Sequence, residues 1–224
     1  MLQSMQRALQ RYVAEVRHAT TPRGYSFSHN LVLFDFTKEE VLTEWDCISD
    51  KDVGGRSHAN LEINGKGTGV LFSGELDLSP PTDLSAKYSG YCAIRSKEKK
   101  GGWFERPYFD VTEFDAFQLR VRGDGRRFMI NLGYPNMARK DDVWQCFMFT
   151  RGGPDWEDIQ LPFKDFFVTH RGYMQDDDFS FPRETVATLG VLLADRVQGP
   201  FKLELQSIKA VRKLTGFSPV KVIL

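Results

Sequence analysis

Short runs in which apolar and polar side chains alternate recur along most of the chain, and they limit the folds open to it. Such runs at residues 59–63, 117–121 and 201–205 place their apolar side chains on one face of a strand. Compact apolar runs at 31–36 and 189–194 have the length of buried strands and are too short to span a bilayer. Because no long helical pattern alternates with these runs, the sequence predicts an all-β protein, a β-sandwich or jelly roll.

Two glycine-rich segments predict reversals between strands. Residues 123–125 (Gly-Asp-Gly) separate the alternating run 117–121 from a second one at 128–132, which predicts that these two strands pair as a hairpin. Residues 65–69 (GKGTG) superficially resemble a phosphate-binding loop. Because a strand-like run follows them and no helix does, we interpret them as a β-turn between two strands.

The first 18 residues have a different pattern. Their apolar side chains recur at helical spacing between Arg7, Arg11 and Arg17, and Glu15 is the one acid, which predicts a basic amphipathic helix. This helix is a remnant of a transit peptide, a surface for a partner, or a helix packed on its own domain. We expect a helix and linker at residues 1–30, one β-sandwich domain at 31–212 and a tail at 213–224.

Charge and cysteine content narrow the functional classes. The chain has 30 basic and 30 acidic residues, so it lacks the basic excess of a non-specific nucleic-acid binder. The three cysteines, Cys47, Cys92 and Cys146, are widely spaced and form no CxxC pair. We interpret them as buried, reduced thiols, which fits the cytosol or the mitochondrial matrix.

No convincing catalytic or metal-binding pattern occurs in the sequence. The four histidines form no close ligand pair, and no nucleophile elbow occurs. The run Asp176 to Asp178 is interpreted as a solvated acidic loop, with a calcium site as the alternative. We therefore predict no catalytic residue, no metal and no cofactor.

One segment, EWDCISDKDVGGRSHANLEI, combines residue types that build a rigid loop. Glycines allow backbone angles that other residues avoid, short polar side chains bond loop N–H groups, and a tryptophan can anchor the loop. We name the following six positions the signature residues: Trp45, Asp50, Asp52, Gly54, Gly55 and Ser57.

This segment resembles the signature of the complex I intermediate-associated protein family. The resemblance continues in LRVRGDGRRFMINLGYP (residues 119–135), DWEDIQLPFKDF (155–166) and LGVLLADRVQGPFKLELQSI (189–208). It covers about residues 31–211. The resemblance implies a galactose-binding-like β-sandwich and a chaperone-like role in assembling the membrane arm of mitochondrial respiratory complex I.

The resemblance also implies partners and a location. The partners would be complex I subunits of the membrane arm and other complex I assembly factors. The location would be the matrix side of the inner mitochondrial membrane, with peripheral membrane contact. It implies no catalytic residues, so we predict that the chain is not an enzyme. The signature residues are expected to determine the fold or to bind a partner.

A binding scaffold needs aromatic or apolar surface flanked by charge. The candidates are Trp103, Phe104, Arg106 and Tyr108, and a basic row of Arg120, Arg122, Arg126 and Arg127. Core packing of the aromatic residues and a solvated hairpin face for the arginines are the structural alternatives. The alternative function is a carbohydrate-binding module, in which Trp144 or Trp156 would stack on a sugar.

Overall fold

The computed structural model describes residues 30–81, 89–99, 107–135, 142–170, 173–175 and 181–212. Within these ranges the regular structure is almost entirely strand, with three short 3-10 helices at Glu39–Glu44, Asp50–Val53 and Phe163–Asp165. The strands are β1 (Asn30–Asp35), β2 (Trp45–Ser49), β3 (His58–Ile63), β4 (Val70–Leu76), β5 (Cys92–Ser96), β6 (Ala116–Gly123), β7 (Arg127–Gly133), β8 (Asp142–Phe149), β9 (Glu157–Pro162), β10 (Phe167–His170), β11 (Tyr173–Met174), β12 (Thr188–Leu193) and β13 (Gly199–Val211).

The strands form two antiparallel sheets. The six-stranded sheet has the order β3-β4-β13-β6-β9, with β1 paired to β13 as well. The seven-stranded sheet has the order β11-β10-β8-β7-β12-β5-β2. The predicted all-β sandwich is therefore confirmed, whereas the predicted N-terminal helix and the C-terminal tail lie outside the described residues.

Strand β13 is the central strand of the six-stranded sheet because it is long enough to pair with three neighbouring strands. One of its edges pairs with β4 over residues 199–205 and with β1 over residues 207–211. Its other edge pairs with β6, with an irregularity between Leu205 and Ser207. This bulge shifts which side chains point inward, so that Leu205 and Ile208 are both fully buried.

The core lies between the two sheets and follows the alternation seen in the sequence. On β6, Phe117, Leu119 and Val121 are fully buried, and the polar residues between them point outward. Strand β7 contributes in the same way through Phe128 and Ile130. A cluster of aromatic rings connects the two sheets, where Phe181 packs against Trp144, Tyr134, Phe163, Phe166 and Phe117.

The predicted hairpin between β6 and β7 is wrong. Strand β6 pairs with β13 and β9, whereas β7 pairs with β8 and β12, so the chain crosses from one sheet to the other at residues 124–126. We call this connection the arch. Alternation determines which face of each strand is buried, but it does not determine whether the next strand pairs beside it or packs opposite it. The two strands belong to opposite layers of the core.

The glycine-rich turn at residues 65–69 does join two paired strands, as predicted. Strands β3 and β4 are antiparallel, with Ile63 opposite Val70. Gly67 has φ of 65°, which favours glycine, and the Asn64 side-chain oxygen accepts a hydrogen bond from the Thr68 N–H at 2.9 Å.

The three cysteines are free, and two of them follow the prediction. Cys92 and Cys146 are buried. The prediction for Cys47 is wrong, because β2 is the edge strand of its sheet and leaves this residue exposed.

Candidate binding surfaces

Three of the signature residues, Asp50, Gly55 and Ser57, meet at the carboxylate of Asp50, which is completely buried. The Ser57 N–H and hydroxyl each donate to it at 2.9 Å, and the Gly90 N–H donates at 2.5 Å. The Ser57 hydroxyl oxygen in turn accepts a hydrogen bond from the Asp77 N–H at 3.0 Å. One carboxylate thus joins the start of β3, the segment after β4 and the segment before β5.

The two glycines of the signature are required by the space and the backbone around Asp50. A Cβ on Gly55 would lie 2.1 Å from the Asp50 carboxyl carbon, so no other residue fits without a shift. Gly54 has φ of 79° and ends the 3-10 helix Asp50–Val53 in the left-handed region. Both glycines therefore contribute to the shape of the loop.

The remaining signature residues differ from each other. Trp45 is 5% exposed and packs edge-on against Phe34 at 4.9 Å and beside Phe36 at 5.2 Å. Asp52 is exposed to solvent. The contacts support a structural role for the other five residues and leave Asp52 as the one charged signature side chain accessible to a partner. A partner-binding role for any of the six stays a prediction.

The four arginines of the predicted basic row lie in three different places. Arg120 and Arg122 point outward from the six-stranded sheet, and both meet carboxylates. Arg120 bonds Asp158 at 2.7 Å, and Arg122 makes a bidentate pair with Glu204 while covering the Trp156 ring. Such cross-strand pairs neutralise this face of the protein.

Arg126 belongs to the arch, and its side chain is largely buried. Its guanidinium makes a bidentate pair with Asp195, at 2.6 and 3.0 Å, and donates to the carbonyls of Val197, Gly199 and Pro200. The side chains of Arg126 and Asp195 are 10% and 5% exposed. Arg126 therefore ties the arch to the segment before β13 and to the first two residues of β13. Its predicted role in binding a partner stays a prediction.

The other predicted surface residues are only partly described. Trp103, Phe104 and Arg106 lie outside the described residues, as does the acidic run 176–178, and Tyr108 is half-buried. Trp144 is 5% exposed and packs in the core, so it cannot stack on a sugar. Trp156 is half-buried beneath Arg122.

The outer face of the seven-stranded sheet carries an aromatic group that the sequence analysis missed. Phe147 and Phe149 are 40% and 54% exposed, and the ring of Phe167 lies 5.5 Å from that of Phe147. Arg127 lies over the Phe147 ring, with its guanidinium carbon 5.4 Å from the ring centroid. The sequence signal that could have revealed this group is the pattern of β8, which has apolar residues on both faces. In a two-layer fold only one face of a strand is buried, so the apolar residues of the other face are left at the surface.

The strand register extends this group into a continuous row. Directly opposite Phe147 lies Met129, then Leu192, Ala93 and Ile48 on successive strands from β8 to β2. Met129, Leu192, Ala93 and Ile48 are half-buried, in keeping with a sheet face that is open on one side. We call these five residues the apolar strip.

Metal-binding clusters and membrane-spanning helices are both absent from the described part of the chain. No group of three or more His, Cys, Asp or Glu residues is placed to hold a metal ion there. The helices in the same ranges include none with the length and apolar character to cross a membrane.

Comparison with known proteins assigns the chain to a family. The profile of the family described as complex I intermediate-associated protein 30 (CIA30) matches residues 34–205, well over half of the chain. The chain belongs to this family. The resemblance noted in the sequence is thereby confirmed.

Named relatives agree with this assignment to the CIA30 family. Complex I intermediate-associated protein 30, mitochondrial, of Mus musculus is 36% identical over 79% of this chain. The protein of the same name from Drosophila melanogaster is 34% identical, also over 79% of this chain. The matched regions cover 55% and 61% of those two proteins, so the chain spans little more than half of the relatives' length.

Solved structures confirm the fold of this CIA30 member. The family 11 carbohydrate-binding module from Clostridium thermocellum, solved with a mixed-linked tetrasaccharide, superposes with a TM-score of 0.54. It is 17% identical, and the match covers 84% of this chain and 99% of the module. The module from a cellulosomal cellulase of the same organism gives 0.55 at 17% identity, over 86% of this chain and all of the module. At this identity the likeness establishes the β-sandwich and no shared ligand.

Proposed function

We propose that this chain is a chaperone-like assembly factor that binds and stabilises intermediates of the membrane arm of mitochondrial respiratory complex I. The observation that carries the proposal is the family match at residues 34–205, which spans the sandwich from β1 into β13. The relatives are named complex I intermediate-associated proteins and mitochondrial. We propose the same compartment, with a place on the matrix side of the inner membrane and other assembly factors as companions.

The architecture of the described residues is suited to binding. The Asp50 carboxylate and the Arg126–Asp195 pair hold the loops in place, and both are fully engaged by neighbours. A two-layer sandwich with a partly exposed apolar row on one sheet offers the kind of surface that protein recognition needs. We propose accordingly that the chain acts without a cofactor and without a chemical step.

Affinity purification tests the proposal. The tagged chain is expressed in cells that lack their own copy, and mitochondrial extracts are purified and analysed by mass spectrometry and native gels. We expect membrane-arm subunits and assembly factors to be recovered, and fully assembled complex I to be restored. Recovery of neither class of protein, with the tagged chain folded and located in mitochondria, would contradict the proposal.

A second candidate function is carbohydrate binding, favoured by one observation. On the outer face of the seven-stranded sheet, the aromatic group of Phe147 and Phe167 borders the amides of Gln145 and Asn131, which are bonded to each other at 3.0 Å. Stacking rings beside amide groups can hold a sugar. A glycan array probed with the intact protein decides this candidate, and a silent array would remove it.

A further inference from the structure

The two outer faces of the sandwich differ in a way that points to one docking surface. On the six-stranded sheet, Arg120 and Arg122 are each neutralised by a carboxylate on a neighbouring strand. On the seven-stranded sheet, the apolar strip crosses five strands. A partly exposed apolar row crosses one face, whereas the other face carries two cross-strand ion pairs on β6. This difference between the faces indicates a surface that is covered in use.

Two arginines flank the apolar strip on opposite sides. Arg95 lies two residues after Ala93 on β5, and Arg127 lies two residues before Met129 on β7. Strands β5 and β7 both pair antiparallel with β12 and so run in the same direction. The two arginines are therefore attached on opposite long sides of the strip, and the Arg127 guanidinium lies over the Phe147 ring at the β8 end of the strip.

Neither arginine is neutralised within the chain as described. Both are exposed, and among the described residues neither has a carboxylate oxygen within 4.0 Å. Asp46, which stands opposite Arg95 in the register, lies instead 3.7 Å from the ammonium group of Lys97. The strip thus combines apolar contact area with positive charge on both flanks.

We propose that this strip, together with Arg95 and Arg127, is the docking groove for an amphipathic helix of a partner protein that carries acidic residues on both sides of its apolar face. The inference rests on the proposed function and names the surface through which it acts. Strands are about 4.8 Å apart, so four spacings make the strip about 19 Å long. A helix rises about 1.5 Å per residue, so about 13 residues cover it.

Charge decides between this partner and a segment of the chain itself. The predicted helix at residues 1–18 contains Arg7, Arg11 and Arg17 and a single acid, so its charge has the same sign as the two flanking arginines. Like charges at a docking site oppose binding, whereas opposite charges speed and orient it. An acid-flanked helix of another protein is therefore the occupant that the surface favours.

The first test uses two designed peptides and the full chain. Both peptides are helices of about 18 residues with leucines on one face, flanked in one by glutamates and in the other by lysines. We expect the glutamate peptide to bind about tenfold tighter by fluorescence anisotropy, with an advantage that shrinks as salt rises. Equal affinities, or tighter binding of the lysine peptide, would overturn the proposal.

Reversing the charge of both flanking arginines tests whether the peptides bind at the strip. In the double variant Arg95→Glu with Arg127→Glu we expect the preference to invert towards the lysine peptide. The matched control, Arg56→Glu with Lys164→Glu, changes the net charge equally at exposed positions outside the strip and should keep the wild-type preference. An unchanged preference in the Arg95/Arg127 double variant refutes the groove.

A charge placed within the strip tests its apolar character. Leu192→Glu should abolish binding of both peptides while the circular dichroism spectrum is unchanged, because the helix would then have to bury a carboxylate. Full binding by the folded Leu192→Glu variant would show that the peptides bind elsewhere.

The same variants separate this inference from the proposed function. If Leu192→Glu and the double arginine variant no longer recover complex I intermediates from mitochondria, and the control variant still does, the groove is supported. If all of them recover intermediates as the wild type does, the assembly role stands and the groove is wrong. If these variants lose binding to anionic phospholipid vesicles but still bind the peptides, the strip is a membrane-binding surface. If instead they lose a self-associated form that the wild type shows in sedimentation, the strip binds a second copy of the chain. Either result would overturn the proposed occupant.

Discussion

At the scale of single residues, Asp50 shows how a buried carboxylate can be held entirely by groups of its own chain. Its carboxylate is fully buried and accepts three hydrogen bonds, from two groups of Ser57 and from Gly90. Buried polar groups are tolerated when every bond is made, and they are costly when one is lost. The signature segment is therefore a tightly constrained joint between three parts of the chain.

Replacing Asp50 should be costly in a way that replacing Asp52 is not. In Asp50→Asn, the side-chain amide has a single acceptor oxygen for three hydrogen-bond donors. Its NH₂ group then faces at least one of these donors, and two donors cannot bond each other. We expect a loss of roughly 1–3 kcal/mol in the free energy of unfolding. Asp52→Asn, at an exposed position of the same segment, should change it by about 0.5 kcal/mol or less. Urea unfolding measures both, and equal effects would contradict the structural role of Asp50.

The cysteines should differ in reactivity according to their burial. Desolvation raises the pKa of both Cys92 and Cys146 to about 12, so almost none of either thiol is ionised near neutral pH. Partial desolvation also raises the pKa of Cys47, but this residue is exposed on the edge strand β2. With a thiol reagent at mildly alkaline pH, we expect Cys47 alone to react in the native protein, and the other two only in urea. Cys47→Ser should remove the native reaction, and a second fast thiol in that variant would contradict the structure.

At the scale of elements, the arch between β6 and β7 decides how the two sheets are joined. Gly125 has φ of 91°, and the Asp124 carboxylate accepts hydrogen bonds from the N–H groups of Arg126 and Lys202 at 3.1 and 2.7 Å. Arg126 then binds Asp195 and the Val197 carbonyl ahead of β13, and the carbonyls of Gly199 and Pro200 at the start of β13. The crossing of the chain from one sheet to the other is thus held by a largely buried ion pair.

Breaking that pair should cost more than removing the neighbouring arginine. Arg126→Gln leaves the Asp195 carboxylate buried without its partner, and we expect a loss of about 3–5 kcal/mol in the free energy of unfolding. Arg127→Gln removes an exposed arginine next in sequence and should cost about 1 kcal/mol or less. Chemical unfolding of the two variants compares them directly. A small effect at Arg126 would show that the arch is held by other contacts.

The Arg126–Asp195 ion pair also makes the free energy of unfolding depend on pH. Burial by itself raises the pKa of Asp195, but the hydrogen bonds from Arg126 and the Val197 N–H outweigh it and hold the pKa below its ordinary value. A lowered pKa means that the stabilisation is present above about pH 4 and is lost as pH falls through the folded-state pKa. We expect the wild type to lose stability as the pH falls below about 4, and Arg126→Gln to lose less over the same range. Urea titrations at several pH values measure the slope, and parallel slopes would contradict this cause.

At the scale of the whole molecule, the two ends of the described body meet. Asn30 at the start of β1 stands opposite Val211 at the end of β13, and β1 lies along the same edge of β13 as β4. The sandwich between them has a continuous core. The predicted domain at residues 31–212 therefore corresponds to a body whose first and last strands are paired, and its division from a helix and a tail stays a prediction.

A shortened chain of residues 30–212 should fold by itself. Because its first and last strands pair with each other, we expect one cooperative thermal transition within a few degrees of that of the full chain. Removing β1 as well, by starting at residue 37, exposes the edge of β13 and deletes the buried rings of Phe34 and Phe36. That variant should melt at a clearly lower temperature. Differential scanning calorimetry compares the three chains, and loss of the transition in residues 30–212 would show that the outer segments are needed for folding.

The sequence by itself determined which face of β6, of β7 and of the first part of β13 is buried, the turn at residues 65–69 and the family. Alternation is a local property, because successive side chains of a strand point to opposite sides whatever lies beside it. Only the tertiary structure decided that β6 and β7 belong to different sheets, that the Arg126 side chain is largely buried while Arg127 is exposed, and that Phe147 aligns with Leu192 in one apolar strip. Those facts depend on which distant strands pair and in what register, and the free energy that selects them comes from long-range burial that no short segment contains.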